Sequence, residues 1–142
     1  MIPYPTKVKK LPGTDYKEIH SEASAIFKQI KSKTKRRPYI RSAYFKKDKI
    51  FFDYFWHHLW QKSWKERIKR LKFFPCAIEL IQNSRQIPTS KQNPNQKSEI
   101  LHRFYGIAKD KELFIVQIKE DKRTDRKYLM SIFPSKIKED LR

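Results

Sequence analysis

Five polar residues that can transfer protons or bind phosphate lie in the last third of the chain: His102, Gln117, Lys119, Lys127 and Ser131. They fall within three segments rich in β-branched and aromatic residues, at about 100–108, 112–120 and 126–133. Such segments, separated by short charged turns, predict an antiparallel meander. Because side chains alternate between the two faces of a sheet, the strand register decides which of the five share a face.

The expected turns bring these residues together. A two-residue turn at 110–111 places His102 opposite Lys119. A symmetric turn over 121–125 places Lys119 opposite Lys127 in the next strand. The sequence therefore predicts one face that carries all five polar residues above an apolar floor, with the opposite face in the core.

This set of groups has a specific chemical use, which is the cleavage of RNA without a metal ion. His102 is the candidate general base or acid, because the ordinary pKa of histidine lies close to neutral pH. Lys119 and Lys127 would stabilise the negative charge on phosphate or take part in proton transfer. Ser131 and Gln117 would orient the phosphate through neutral hydrogen bonds. A basic face that only docks RNA is the simpler alternative.

The position of His102 depends on one turn. The segment 109–112 lacks the glycine that a tight hairpin favours, and a bulge there would move His102 to the other face. Proton transfer would then have to depend on His58, which lies on a predicted helix. The adjacent His57 lies on a different side of that helix and is a weaker candidate.

The first part of the chain reads as helical. Apolar spacing predicts one helix over about 15–32 and a second over about 53–72. In the second helix Trp56, Trp60 and Trp64 share one side and are interpreted as core. The opposite side carries a basic stripe of His58, Lys62, Lys65 and Lys69, which is either a solvated face or a nucleic-acid contact.

The domain organisation follows from these elements. We expect a single domain over 1–142, with an extended lead-in at 1–14 and a helical part at 15–84 that contains a small hairpin near 39–52. Pro75 opens a further short helix to about residue 82. A polar loop at 85–98 then leads into the antiparallel sheet at 99–134.

The charge of the chain indicates an anionic partner. It has 34 Lys and Arg residues against 15 Asp and Glu, a formal net charge of +19. A surplus of this size is typical of proteins that bind a phosphate backbone, although an anionic membrane or an acidic protein would also attract it. The candidates for substrate binding, besides Gln117, are Arg36, Arg37, Lys62, Lys65, Lys69, Arg103 and Tyr105.

Composition also limits the environment. The single Cys76 excludes an intramolecular disulfide and a cysteine-rich zinc site, which suits a reducing compartment. The acidic residues are scattered, so we expect no metal and no other cofactor. No apolar run approaches the roughly 18 residues of a membrane span, and the N-terminus lacks the apolar core of a signal peptide. We therefore expect a cytoplasmic protein with no membrane partner.

The motif His102-Arg-Phe-Tyr-Gly106, followed by 114–119 and 127–131, resembles the phage-associated branch of the barnase, EndoU, colicin-tRNase and RelE (BECR-type) endoribonuclease superfamily. The resemblance covers about 38–134 and is most specific in the last three strands. It implies helices before a curved four-stranded antiparallel sheet and metal-independent RNA cleavage, often by a toxin. The active-site residues that it implies are His102, Lys119, Lys127 and Ser131, joined by His58.

The sequence thus predicts an α+β fold in which N-terminal helices pack against a curved antiparallel sheet, a three- to four-stranded C-terminal meander. We expect an endoribonuclease of a toxin-antitoxin or phage-related system that leaves a 2',3'-cyclic phosphate. Its partners would be RNA (tRNA, mRNA or rRNA) and an acidic antitoxin protein. Two alternatives stay open: a non-catalytic RNA-binding module, and a phage structural or interaction protein.

Overall fold

A computed structural model describes residues 2–135, which form an α+β fold. The helices are α1 (Tyr16–Ser32), α2 (Phe55–Trp60), α3 (Trp64–Lys72) and α4 (Phe74–Asn83). The strands are β1 (Tyr4–Pro5), β2 (Tyr39–Arg41), β3 (Lys49–Phe51), β4 (Thr89–Asn93), β5 (Gln96–Ile107), β6 (Leu113–Asp121) and β7 (Arg126–Pro134). The predicted domain also includes Met1 and 136–142, which lie outside the described residues.

The strands make one curled sheet in the order β1-β5-β6-β7-β3-β2, with β4 paired to β5. The antiparallel meander of β5, β6 and β7 is present as predicted. However, β1 pairs with β5 in parallel, and so does β3 with β7. The expectation of a purely antiparallel sheet behind N-terminal helices is therefore wrong: the sheet is mixed, and β1, β2 and β3 alternate with the helices. Parallel pairs need long connections, which no local sequence pattern reveals.

The register between β5 and β6 differs from the predicted one by one residue. His102 lies opposite Ile118 and not opposite Lys119. The cause is the turn, because the backbone N–H of Ala108 bonds the carbonyl of Glu112 and leaves three residues, not two, at the tip. The third of these, Lys111, has a φ of 72°, the left-handed conformation typical of three-residue hairpin turns.

The register between β6 and β7 is also shifted. Lys127 lies opposite Glu120, and Lys119 lies opposite Tyr128, so the two lysines are not paired. An irregularity follows at Gln117, which pairs with Ser131 and leaves one extra residue on β7. Such a bulge changes which residues of a strand face the core beyond it.

These registers define two faces of the meander. We call the first the helix face; it carries His102, Phe104, Gly106, Phe114, Val116, Ile118, Glu120, Lys127, Leu129 and Ile132. Helix α4 packs on it so closely that a Cβ at Gly106 would overlap the Phe114 ring and approach Leu80 Cδ1 at 2.9 Å. We call the second the outer face; it carries Arg103, Tyr105, Gln117, Lys119, Tyr128, Ser131 and Phe133. Helices α2 and α3 contact β7.

The helix predicted over 53–72 is divided into α2 and α3. Ser63 caps the second part, since its Oγ accepts a bond from the backbone N–H of Glu66. Arg67 closes the end of the first part by donating to the carbonyls of Trp60 and Lys62. The break rotates the two halves relative to one another, so a single helical projection of the whole segment does not apply.

The predicted tryptophan core is correct for one residue of three. Trp56 is half-buried and packs against Phe55 and Phe74. Trp60 and Trp64 are 55% and 62% exposed, so they lie on the surface. Their indole rings contact side chains of the neighbouring elements, and the guanidinium of Arg67 lies over the Trp60 ring.

Other local predictions have mixed outcomes. Three of them are confirmed: the first helix is α1, the hairpin near 39–52 consists of β2 and β3, and the short helix that begins at Pro75 is α4. The polar loop at 85–98 is wrong, because β4 and the start of β5 form a hairpin there. Nearly all of β4 is exposed, so its sequence lacks the apolar alternation by which strands are recognised.

Candidate active site

The five residues expected on one face lie on two. His102 and Lys127 are on the helix face, whereas Gln117, Lys119 and Ser131 are on the outer face. The expected joint site of His102 with the two lysines is therefore not formed. The one-residue shift in each turn accounts for this separation, since a one-residue slip exchanges the faces of a strand.

His102 is buried in a polar network on the helix face. Its Nδ1 lies 2.6 Å from Ser90 Oγ, and its Nε2 lies 2.8 Å from an oxygen of Glu120. The ring also meets the edge of Phe45. Both ring nitrogens thus have partners, and only 7% of the residue is exposed. This arrangement is typical of a structural histidine.

Lys127 belongs to the same network. Its ammonium group lies 2.9 Å from Asp48, 3.5 Å from Asp125 and 3.8 Å from Glu120, and its side chain is 4% exposed. Burial alone would lower the pKa of Lys127, but the hydrogen bond that its ammonium group donates to Asp48 and the three carboxylate charges raise it. A lysine held in its charged form by three acids is poorly suited to accept a proton.

The outer face carries a row of polar side chains across three strands. Arg103, Gln117 and Ser131 are directly opposite one another on β5, β6 and β7. Arg103 Nε donates to Gln117 Oε1 at 3.0 Å. Arg70, from α3, reaches the other end of the row and donates to Ser131 Oγ at 2.7 Å. Arg103 therefore forms one end of the row, and Arg70 is bonded to the residue at the other end.

An aromatic ring lies beside this row. The guanidinium groups of Arg70 and Arg103 are 5.6 Å and 5.2 Å from the centre of the Phe133 ring. Arg103 is exposed and Phe133 is partly exposed. Glu66 lies 3.5 Å from Arg70 and is the carboxylate that balances part of this charge. The remaining positive charge and the aromatic ring are the groups that phosphate and a nucleobase would contact.

The charge of Arg70 acts on the pKa of His58, which lies on α2. Burial lowers the pKa of His58, and the charges of Lys62, Arg70 and His57 lower it further. The imidazole is therefore neutral at neutral pH, the form that can accept a proton. We call His58, Arg70, Arg103, Gln117, Ser131 and Phe133 the outer-face cluster.

The other predicted residues of the outer face have partners of their own. Lys119 forms an ion pair with Glu99 at 3.3 Å, and its ammonium group lies 3.9 Å from the centre of the Tyr54 ring. The hydroxyl of Tyr105 donates to Thr89 at 3.1 Å. Both side chains border the cluster without bonding to its members in the described part of the chain.

The basic residues predicted to bind substrate are distributed over several elements. Arg37 is paired with Asp53 and lies over the Phe51 ring. Arg36, Lys65 and Lys69 are exposed, and none of them forms an ion pair within residues 2–135. Lys62 is partly buried beside α2 and acts on His58 through its charge.

The sequence offered little sign of three residues that organise these sites. Arg70 is one cation among many on a basic helix, and only its spacing of four from Glu66 sets it apart. Glu120 joins His102 to Lys127, but it stands in a strand of mixed polarity. Asp48 comes from a distant hairpin, and its contact with Lys127 depends on the parallel pairing of β3 with β7.

Between residues 2 and 135, no group of three or more His, Cys, Asp or Glu side chains is arranged to hold a metal ion. In the same range, no helix has both the length and the apolar character needed to cross a membrane. No protein-family model, no curated protein and no solved structure matches the chain.

Proposed function

We propose that the chain is a metal-independent endoribonuclease and that the outer-face cluster is its cleavage site. The observation that carries this proposal is a half-buried imidazole whose pKa is lowered by burial and by nearby charges, among them that of an arginine that is bonded to the polar row of the sheet. A neutral base can activate the 2'-hydroxyl, and two guanidinium groups can stabilise the negative charge of the transition state.

In the proposed reaction His58 accepts the proton of the 2'-hydroxyl. The 2'-oxygen attacks phosphorus, and the bond between phosphorus and the 5'-oxygen breaks. The products are a 2',3'-cyclic phosphate and a 5'-hydroxyl whose proton comes from water, and the hydroxide that remains takes the proton back from His58. Arg70 and Arg103 stabilise the additional negative charge of the transition state, because one guanidinium group can donate two parallel hydrogen bonds to the oxygens of a phosphate.

The remaining members of the cluster position the substrate. Ser131 and Gln117 fix the directions of the two arginines through the bonds described above. Phe133 offers a ring against which a base can stack. His102 and Lys127 support the sheet in this proposal, since the partners that they already have leave no free lone pair or acceptor site for catalysis.

Purified protein incubated with total RNA and EDTA tests the proposal. We expect fragments with 2',3'-cyclic phosphate ends, and we expect His58→Ala and Arg70→Gln to abolish them while the variants remain folded. His57→Ala is the matched control, because it removes the neighbouring imidazole of the same helix. If folded His58→Ala cleaves as well as the parent, the assignment of the site is wrong.

Binding of RNA without cleavage by the parent protein would leave the non-catalytic RNA-binding module as the function. The net charge of +19 is the observation that favours this second candidate. If the protein neither binds nor cleaves RNA, the result would favour a phage structural or interaction protein.

We further propose that the chain acts in the cytoplasm as a toxin and that an acidic antitoxin covers its basic surface. The support is the charge of the chain and the motif resemblance of its last three strands. Expression in a bacterial host is expected to arrest growth, and His58→Ala is expected to relieve the arrest. Equal growth with both proteins at equal levels would argue against a toxin.

A further inference from the structure

A second basic surface lies away from the outer-face cluster, in a groove of about 1050 Å³ beside β2. Its walls come from the end of α1, from β2 and the turn that follows it, and from the end of α4. We call it the β2 groove. It shares no residue with the outer-face cluster, and β2 is the last strand at that side of the sheet.

The charges of the β2 groove all have one sign. Five cationic side chains line it, and they are Lys33, Arg41, Lys46, Lys47 and Arg85. All five are exposed, and no Asp or Glu of the described residues is among the lining. Arg41 donates to a backbone carbonyl, and none of the five forms an ion pair within residues 2–135. Five unneutralised charges along one groove attract a polyanion.

The turn between β2 and β3 holds two of these charges in a strained conformation. Lys46 and Lys47 have φ values of 54° and 71°, a region that lysine adopts at a cost and that Asn and Gly favour. Ser42 fixes the turn, because its hydroxyl accepts from the N–H of Phe45 and its carbonyl accepts from the N–H of Lys47.

Two tyrosine rings complete the surface. Tyr39 and Tyr44 line the groove and are partly exposed. The guanidinium of Arg41 lies 5.4 Å from the centre of the Tyr39 ring, and Tyr44 is supported by the rings of Phe45 and Phe104. Cations that follow a backbone, interleaved with rings on which bases can stack, are the recurring features of sites for single-stranded nucleic acid.

We propose that the β2 groove binds single-stranded RNA through its phosphates and bases and anchors the substrate away from the cleavage site. The choice of RNA rests on the proposed function, whereas the affinity for single strands rests on the groove alone. Binding at the groove requires no chemistry at His58.

The variant Lys46→Asn with Lys47→Asn tests this proposal without endangering the fold, because Asn tolerates the left-handed conformation better than Lys. We expect its thermal midpoint to equal or exceed that of the parent. The control removes the same charge from exposed lysines outside the groove, by Lys28→Gln with Lys122→Gln. Fluorescence anisotropy with a single-stranded RNA oligonucleotide would be recorded over a range of salt concentrations, with every protein in the His58→Ala background.

Loss of two phosphate contacts is expected to reduce the slope of log affinity against log salt by about 1.4, since each contact on a single strand contributes about 0.7. The control variant is expected to retain the parent slope. An unchanged slope and affinity in the Asn variant would overturn the proposal, and so would an equal loss in the control.

Polyglutamate of similar length separates a general polyanion site from a site for nucleic acid. We expect Tyr39→Leu to weaken RNA binding and to leave polyglutamate binding unchanged, because only RNA has bases to stack. If Tyr39→Leu weakens the binding of RNA and of polyglutamate equally, the β2 groove is a site for an acidic protein instead. Cleavage by the Asn variant at the parent rate, in spite of lost groove binding, would mean that the groove does not anchor the substrate and would leave the proposed function intact. Groove binding by a parent protein that does not cleave RNA would support the groove and refute the proposed function.

Discussion

Single residues decide what the candidate site can do, and the sequence identified several of them. His58 was a secondary candidate, and its value comes from burial and from three nearby positive charges that no sequence pattern displays. Ser131, Gln117 and Arg103 were candidates from their strands, but their alignment in one row follows from registers that the sequence did not predict. Arg70 could not be found, because its role depends on the packing of α3 against β7.

The pH dependence of cleavage provides a test at this scale. Below its pKa a catalytic base is protonated and inactive, so the lowered pKa of His58 extends activity to lower pH. Lys62→Gln removes one of the charges that lower this pKa. We expect the acidic limb of the profile of kcat/KM against pH to move to higher pH in this variant.

Lys65→Gln is the control for that measurement. Lys65 is exposed on the neighbouring helix and is not among the groups that act on the pKa of His58. Its pH profile should match that of the parent. A profile that stays in place in Lys62→Gln, or that moves equally in both variants, would remove His58 from the role of base.

At the scale of elements, the sequence predicted types well and registers poorly. Apolar spacing is sufficient to find α1 and the three strands of the meander, because each buries a regular set of side chains. Register depends on the length of a turn. The segment 109–112 has no glycine to mark its turn type, so its sequence did not decide between a turn of two residues and one of three in which Lys111 is left-handed. The exposed β4 has no apolar pattern at all.

Close packing of α4 on the helix face predicts the effect of one methyl group. Gly106→Ala would place its Cβ against the Phe114 ring and near Leu80. We expect a loss of about 1–3 kcal/mol in the free energy of unfolding, measured by urea titration, because overpacking strains the neighbouring side chains.

The second substitution Phe114→Leu should recover part of that loss by making room for the methyl group. Lys91→Ala, on the exposed β4, is the control and should change the free energy of unfolding by less than about 0.5 kcal/mol. If Gly106→Ala is as stable as this control, the contact between α4 and β5 is looser than described.

For the whole molecule, the net charge of +19 acts on stability as well as on binding. Repulsion among so many like charges opposes the folded state, and salt screens it. We expect the thermal midpoint to rise between about 20 and 300 mM NaCl, as measured by circular dichroism. The variant Lys28→Gln with Lys122→Gln should show a smaller rise. A midpoint that falls with salt would mean that ion pairs such as Lys10 with Glu112 outweigh the repulsion.

The two parallel pairings of the sheet also set an order of assembly. Tyr4 pairs with Gly106, and Ile50 pairs with Lys127, so both contacts join distant parts of the chain. The hairpins of β5, β6 and β7 close over short distances and can form first, whereas contacts between remote segments form slowly. During synthesis on the ribosome α1 to α4 emerge before the strands that they cover. The N-terminal two-thirds of the chain must therefore wait for the last third before its apolar surfaces can be buried.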